Sequence, residues 1–207
     1  MYPYFKRGFD FILALFSLII IAPIFLLLCL IIKLDSEGPI FFKQKRMGIK
    51  GTEFYMLKFR TMRVDTPKDV PTRFLKNPDK YITRVGKILR RTSLDEVPQL
   101  VNIIRGQMSL VGPRPVVLTE ADLIVERDKY GANDVLPGLT GWAQINGRDI
   151  LRPSTKAKLD GEYVKRMSFL FDLQCIMKTV IVVFKGEGVV EGELDSEIDA
   201  ASLERKM

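Results

Sequence analysis

A run of 22 residues without a charged side chain, at positions 11–32, restricts what this chain can fold into more than any other feature. As a helix rising 1.5 Å per residue it is about 33 Å long, which is enough to cross the hydrocarbon core of a bilayer. It is too long for the apolar core of a signal peptide, and no small-residue cleavage site follows it. We therefore predict that the run is retained and lies in a membrane.

Two features of this run argue against a straight crossing. Pro23, preceded by Ala22, lies almost midway and removes a backbone hydrogen bond, so we expect the helix to be broken or kinked there. Basic residues flank both ends, beginning with Lys6 and Lys33, whereas a spanning helix carries them mainly on its cytoplasmic side. A re-entrant hairpin with both ends on the cytoplasmic face satisfies both features, and a kinked single-pass anchor is the alternative.

The basic charge is concentrated outside the C-terminal end of the chain. The net charge is +7, yet residues 187–207 hold seven acidic and only two basic residues. Residues 41–63 and residues 73–91 each hold seven Lys or Arg against a single acidic residue. Such fields predict a polyanionic partner, which could be nucleic acid, anionic lipid or a phosphorylated substrate.

Two adjacent carboxylates, Asp95 and Glu96, lie between a pair of arginines and Pro98. Proline suits the first position of a helix, so Pro98 predicts a helix start directly after the carboxylates, where its partial positive charge favours anions. A second register makes Ser93 the N-cap and Glu96 the third helical residue of a capping box. In that register Pro98 would lose the hydrogen bond to the Leu94 carbonyl, so the first is preferred.

The chain contains no histidine, which excludes imidazole general-base chemistry and zinc sites ligated by histidine. Two neighbouring carboxylates among many fixed cations suit a hard divalent metal ion and an anionic substrate. Asp95 and Glu96 are therefore the candidates for both catalysis and metal binding. The alternative is that they only begin a helix.

Four further cations lie in segments that present them rigidly. Lys58 and Arg60 share one face at the end of a predicted strand, in a hairpin formed by residues 40–44 and 54–59. Arg114 lies between two prolines, which reduces the freedom it loses on binding a phosphate. Arg148 ends a glycine-rich segment, residues 136–148, where the backbone could approach a ligand closely. Separate rigid turns of this kind, together with a membrane segment, do not fit nucleic-acid binding.

These motifs together closely resemble the bacterial sugar transferase family, the small monotopic phosphoglycosyl transferases. The resemblance runs from about residue 6 to about residue 188. It rests on the kinked membrane segment, Lys58-Phe59-Arg60-Thr61-Met62, Arg90 with Ser93-Leu94-Asp95-Glu96-Val97-Pro98-Gln99-Leu100, Gly112-Pro113-Arg114-Pro115, and residues 138–148. Trp142, where leucine is frequent in the family, and Arg91, where a small polar residue can occur, are mild departures.

The resemblance implies transfer of a sugar-1-phosphate from a UDP-sugar to undecaprenyl phosphate or another polyprenol phosphate, with release of UMP. It implies Asp95 as nucleophile of a covalent phosphosugar intermediate and Glu96 as a ligand of Mg²⁺, which Asp95 would share. Such a reaction begins the membrane stage of bacterial polysaccharide or glycoprotein assembly. We assign Arg114 and Arg148 to the diphosphate, Lys58, Arg60 and Arg90 to weaker phosphate contacts, and Asp160 to the lining of the site.

The fold that the resemblance implies is α+β, mostly helical, with a small β-hairpin, a re-entrant membrane helix and interfacial amphipathic helices. We divide the chain into a membrane hairpin at residues 1–36, a catalytic domain at residues 37–188 on the cytoplasmic face of the bacterial inner membrane, and a mobile acidic tail at residues 189–207. A homodimer is compatible with the sequence, and the transferred sugar is undetermined. The alternative function is a non-catalytic, basic, membrane-anchored module that binds lipid or a partner protein.

Overall fold

A computed structural model describes residues 2–67, 78–147 and 151–185. The described chain is mostly helical with two small two-stranded sheets, which confirms the predicted α+β class. The helices are α1 (Tyr2–Asp35), α2 (Arg84–Arg91), α3 (Gln99–Ile104), α4 (Ala121–Asp128), α5 (Trp142–Ile145), α6 (Pro153–Arg166) and α7 (Phe169–Lys185). The strands are β1 (Phe41–Met47), β2 (Glu53–Phe59), β3 (Ser109–Val111) and β4 (Gly138–Thr140).

The predicted hairpin is confirmed, because β1 and β2 pair antiparallel with Phe41 opposite Phe59. The second sheet, in which β3 and β4 run parallel, was not predicted. This sheet gives the glycine-rich segment a structural role in place of the ligand approach that the sequence predicted. A Cβ on Gly138 would lie 2.1 Å from the Gly112 nitrogen, and one on Gly141 would lie 2.1 Å from the Gly112 oxygen. These glycines let two backbones approach each other, so they are accounted for without a ligand.

Helix α1 corrects the expected break, because the helix continues without interruption through Pro23. A proline removes one backbone donor, and the bonds on either side of it can keep the helix intact. The break is therefore wrong, and a kink at Ala22 and Pro23 within one continuous helix is the part of the prediction that remains. Only 6% of the most apolar 18-residue window of α1 is buried, unlike the core helix of a soluble protein. By length and composition, α1 is the one described helix that could cross a membrane.

Both ends of α1 pack against the rest of the described chain. Near its N-terminus, Ala14 is fully buried in a cluster with Met56 of β2 and Ile103 of α3. Near its C-terminus, Ile32 packs with Phe59, with Leu89 of α2 and with other apolar side chains. Between these contacts the helix exposes large apolar side chains, which are Leu15, Phe16, Ile19, Ile20, Ile24, Leu26, Leu27 and Leu30.

Helix α7 has two different faces. Phe171 and Cys175 are buried against Tyr163 of α6, whereas Leu170 and Met177 are exposed. Helix α7 is therefore amphipathic, and its interfacial placement stays a prediction. Before α4, which begins at Ala121, Val116 forms a β-bridge with Met47.

Candidate active site

The two acidic residues lie in a single 3₁₀ turn, Leu94–Glu96, between α2 and α3. Ser93 precedes the turn in the left-handed conformation with φ of 56°, which reverses the chain after α2. Pro98 is the N-cap of α3, so the helix begins at Gln99, one residue later than the sequence predicted. The Ser93 side chain makes no capping hydrogen bond, so the capping-box register is excluded. Asp95 and Glu96 are each 8% exposed.

Helix α3 holds the turn against the hairpin through Asn102, which is fully buried. Its Oδ1 accepts a 3.0 Å hydrogen bond from the Leu57 amide, and its Nδ2 donates to the Tyr55 carbonyl at 2.8 Å and to Gln107 at 2.7 Å. These bonds fix α3 against the backbone of β2 directly before Lys58. The C-terminal end of α3 is also held by Arg7 of α1, which donates to the Ile103 carbonyl at 2.7 Å.

Glu96 is bound by two cations from different elements. Lys58 Nζ lies 2.8 Å from Glu96 Oε1, and Arg114 Nη2 lies 2.6 Å from the same oxygen. Arg114 Nη1 also donates to Oε2 at 3.4 Å, so the arginine engages both carboxylate oxygens. Lys58 lies 3.9 Å from Asp95 Oδ2. The structure therefore joins Asp95, Glu96, Lys58 and Arg114, all four predicted from the sequence.

The two carboxylates have opposite pKa shifts. Burial raises the pKa of Asp95 above its usual range, and nearby Lys58 only partly offsets this effect. Burial acts on Glu96 in the same direction, but Arg114 and Lys58 together hold its pKa well below its usual range. Arg114 and Lys58 therefore favour the ionised form of Glu96, while Asp95 is the less stabilised and more basic carboxylate.

The remaining predicted cations have different positions. Arg90 donates to Thr61 at 2.9 Å and is close enough to lower the pKa of Asp95, so it borders the site. Arg60 does not join the site. Its Nη2 donates to the Ser36 carbonyl at 2.6 Å, and its side chain caps the end of α1. Arg148 lies outside the described residues.

Asp160 is also placed away from the carboxylates, and its contacts identify a residue that sequence reasoning missed. It is 1% exposed and accepts hydrogen bonds from Arg127 of α4 at 2.6 and 2.8 Å. Arg127 donates in turn to the main-chain carbonyl of Arg114 at 2.9 Å. A single arginine in an amphipathic helix gives no sequence signal of this contact.

Asp95 and Glu96 suit a hard divalent ion, since carboxylate oxygens are what Mg²⁺ prefers. Within residues 2–67, 78–147 and 151–185, no cluster of three or more His, Cys, Asp or Glu could hold a metal. A site of two carboxylates fits Mg²⁺ in particular, because this ion keeps several waters and completes its shell with substrate phosphates.

Comparison with known proteins agrees with this chemistry. A family model described as bacterial sugar transferase matches residues 1–186. The chain belongs to the bacterial sugar transferase family.

Relatives within the bacterial sugar transferases cover most of the chain. The exopolysaccharide production protein ExoY of Sinorhizobium fredii is 40% identical over 197 residues, which cover 88% of this chain and 87% of the relative. A protein of Caulobacter vibrioides named UDP-glucose:undecaprenyl-phosphate glucose-1-phosphate transferase is 41% identical, covering 84% and 68% of the two chains. The Escherichia coli protein of the same name is 41% identical, covering 87% of this chain and 40% of its own length.

Proposed function

We propose that this bacterial sugar transferase moves a sugar-1-phosphate from a UDP-sugar to undecaprenyl phosphate and releases UMP, as the first membrane step of polysaccharide or glycoprotein assembly. One observation carries the proposal, namely the buried Asp95–Glu96 pair with Lys58 and Arg114 directed at it. The names of the relatives support the same donor and acceptor classes. The names differ in their sugars, so the sugar of this chain is left to experiment.

In the proposed reaction, an Asp95 oxygen attacks the sugar-linked phosphorus of the donor. A new oxygen–phosphorus bond forms to Asp95, and the bond to the bridging oxygen breaks, so UMP leaves with the electron pair. A phosphate oxygen of the lipid acceptor then attacks the same phosphorus and releases the Asp95 carboxylate. Two half-reactions let a water-soluble donor and an apolar acceptor use one site in turn.

The main difficulty of this reaction is the electrostatic repulsion between the Asp95 carboxylate and the anionic diphosphate, and the cations reduce it. Lys58 and Arg114 lie on Glu96 and can shift toward a diphosphate, whose charge they would neutralise as it develops. Asp95 and Glu96 would hold Mg²⁺, which when bound supplies Lewis-acid neutralisation of the phosphoryl oxygens. Arg90, at the border of the site, and Arg148 remain proposed phosphate contacts.

We also propose a monotopic placement, with the catalytic part on the cytoplasmic face of the inner membrane. The packing of both ends of α1 on the same body supports it, because a bilayer core of about 30 Å could not separate them. The exposed middle of α1 would then enter the lipid only part-way. This leaves Asp95 at the level of the lipid phosphates.

The Asp95→Asn variant tests the reaction. It should fold in membranes and lose UMP release, because a carboxamide is not a nucleophile toward phosphorus. Asp65→Asn, which removes an exposed surface ion pair with Arg63, is the matched control and should retain the parent rate. The assay is UMP release from a panel of UDP-sugars with undecaprenyl phosphate and Mg²⁺, and an anchored non-catalytic module would release none.

Trapping gives a second measurement of the same step. Incubation with the active UDP-sugar but no acceptor should add one sugar phosphate to the peptide containing Asp95, as detected by mass spectrometry. Finding the adduct on Glu96, or finding no adduct during turnover, would contradict the covalent route.

A further inference from the structure

Arg127 and Asp160 form an ion pair that is hidden from solvent and lies outside the cluster of Asp95, Glu96, Lys58 and Arg114. The exposed fractions of the two residues are 3% and 1%. Arg127 Nε and Nη2 both donate to the same Asp160 oxygen, at 2.8 and 2.6 Å. Buried pairs of this kind often contribute no more stability than apolar side chains of similar size. Stability alone therefore does not account for the pair.

The third nitrogen of Arg127 links the pair to the active site. Nη1 donates to the carbonyl of Arg114 at 2.9 Å. The prolines on both sides of Arg114 have no N–H, so their segment is held from outside through its carbonyls. Gly138 N donates to the Pro113 carbonyl at 2.9 Å, and Arg46 donates to the Pro115 carbonyl at 3.0 Å. Arg127 supplies the central of these three contacts.

We propose that Arg127 is a positioning residue for the transfer reaction, and that Asp160 acts through it. Asp160 orients the Arg127 guanidinium, Arg127 fixes the main chain of Arg114, and the Arg114 side chain reaches Glu96 at 2.6 Å. Asp160 therefore helps to hold Arg114, the proposed phosphate-binding residue, in position through Arg127 and does not touch the substrate. This inference rests on the proposed function, because it assigns Arg114 to the donor diphosphate.

The size of the expected effect follows from the geometry. Displacing a positioned group by about 1 Å can lower the rate of an enzyme by about 100-fold. Arg127→Met removes the contact to the Arg114 carbonyl and leaves Asp160 as an unpaired buried charge, so it should both slow transfer and destabilise the fold. Loss of activity in this variant alone would not separate positioning from folding.

The double variant Arg127→Met/Asp160→Asn separates them. It removes both buried charges, so its thermal unfolding midpoint should recover toward that of the parent, while the contact to Arg114 is still absent. Its kcat/KM, measured as UMP release with the UDP-sugar that the parent uses fastest, should stay about 10- to 100-fold low. Recovery of activity together with stability would overturn the proposal.

A double-mutant cycle with Arg114→Ala tests the route of the effect. If Arg127 acts through Arg114, then Arg127→Met should change kcat/KM by less than about 3-fold in the Arg114→Ala background. Effects that multiply would overturn the proposal. Lys129→Met removes an exposed ion pair with Glu126 at the end of the same helix and should change neither rate nor stability.

Binding of UDP to the full-length protein, measured by calorimetry, extends the cycle beyond activity. Arg127→Met should weaken UDP binding about tenfold in the parent background and not in the Arg114→Ala background. If the parent releases UMP from no UDP-sugar, the proposed function fails, and the UDP cycle still decides the positioning role. If the parent is active and both cycles are additive, the positioning role alone fails.

Discussion

Asp95 and Glu96 are neighbours in sequence, but their surroundings shift their pKa values in opposite directions. Glu96 has two cations on its carboxylate, which lowers its pKa and makes it a poor base. Asp95 is buried with less compensation, which raises its pKa and makes it the more basic of the two, in keeping with its proposed role as nucleophile. Opposite shifts in two adjacent acids are what a division into anchor and nucleophile requires.

This difference predicts a pH dependence. In the proposed mechanism Asp95 attacks only as the carboxylate, so kcat/KM should fall as the pH drops through its raised pKa. Lys58 is the strongest of the charges that lower this pKa. In Lys58→Gln the pKa should rise further, and the acidic limb of the profile should move to higher pH, whatever the loss in maximal rate.

The measurement is kcat/KM for UMP release as a function of pH. Lys45→Gln, which removes an exposed ion pair with Glu53 elsewhere on the hairpin, is the control and should leave the limb in place. A limb that stayed fixed or moved to lower pH in Lys58→Gln would show that Asp95 does not set it.

At the scale of the elements, α3 is only six residues long and cannot hold the dyad by itself. Its position depends on Asn102, which joins it to β2, and on Arg7, which joins it to α1. The active-site geometry is therefore a property of three packed elements.

Asn102→Ala should destabilise the protein by about 2–3 kcal/mol, because it removes a fully buried side chain and leaves the Leu57 amide without its side-chain acceptor and the Tyr55 carbonyl without its side-chain donor. It should also lower kcat, since Lys58 follows the detached segment of β2. Thermal unfolding in lipid nanodiscs and UMP release measure the two effects. Asn146→Ala removes a hydrogen bond to the Trp142 carbonyl in a less buried position and should cost less than half as much. Equal losses in both variants would contradict a special role for Asn102.

The hairpin, the turn before Pro98 and the rigid Arg114 could be predicted because each depends on a few neighbouring residues. Arg60 could not be placed correctly, because the chain leaves the strand after Phe59 and the side chain reaches the end of α1 instead. Arg127 and the close contact of Gly112 with Gly138 depend on elements far apart in sequence. Periodicity carries no information about such contacts.

Helix α1 is, by length and composition, the described helix that could enter a membrane, so its packing bears on the placement of the protein. Residues near both of its ends pack against the body that holds Asp95. A single crossing would require one end to lie on the far side of the bilayer. The packing thus favours the proposed monotopic placement over a kinked single-pass anchor.

Cysteine labelling in sealed vesicles tests this placement. In a background with Cys29 and Cys175 replaced, single cysteines at Tyr4 and Asp65, both exposed positions, should react with a membrane-impermeant maleimide from the same side. UMP release by each variant confirms that the labelled protein is folded. Labelling of the two positions from opposite sides would establish a single-pass anchor and rule out the re-entrant placement.

Arg7 and Arg60 give α1 a property that an ordinary anchor lacks. Arg7 joins the start of the helix to α3. Arg60, which directly follows β2, donates to the carbonyls of Ile32 and Ser36 at the other end. Because both ends of α1 are bonded to the part of the chain that holds Asp95, no flexible linker separates them. In the proposed monotopic placement, the depth of α1 in the lipid therefore sets the height of Asp95. The distance between Asp95 and the proposed lipid acceptor would then be fixed by a rigid body and would not vary with the extension of a flexible linker.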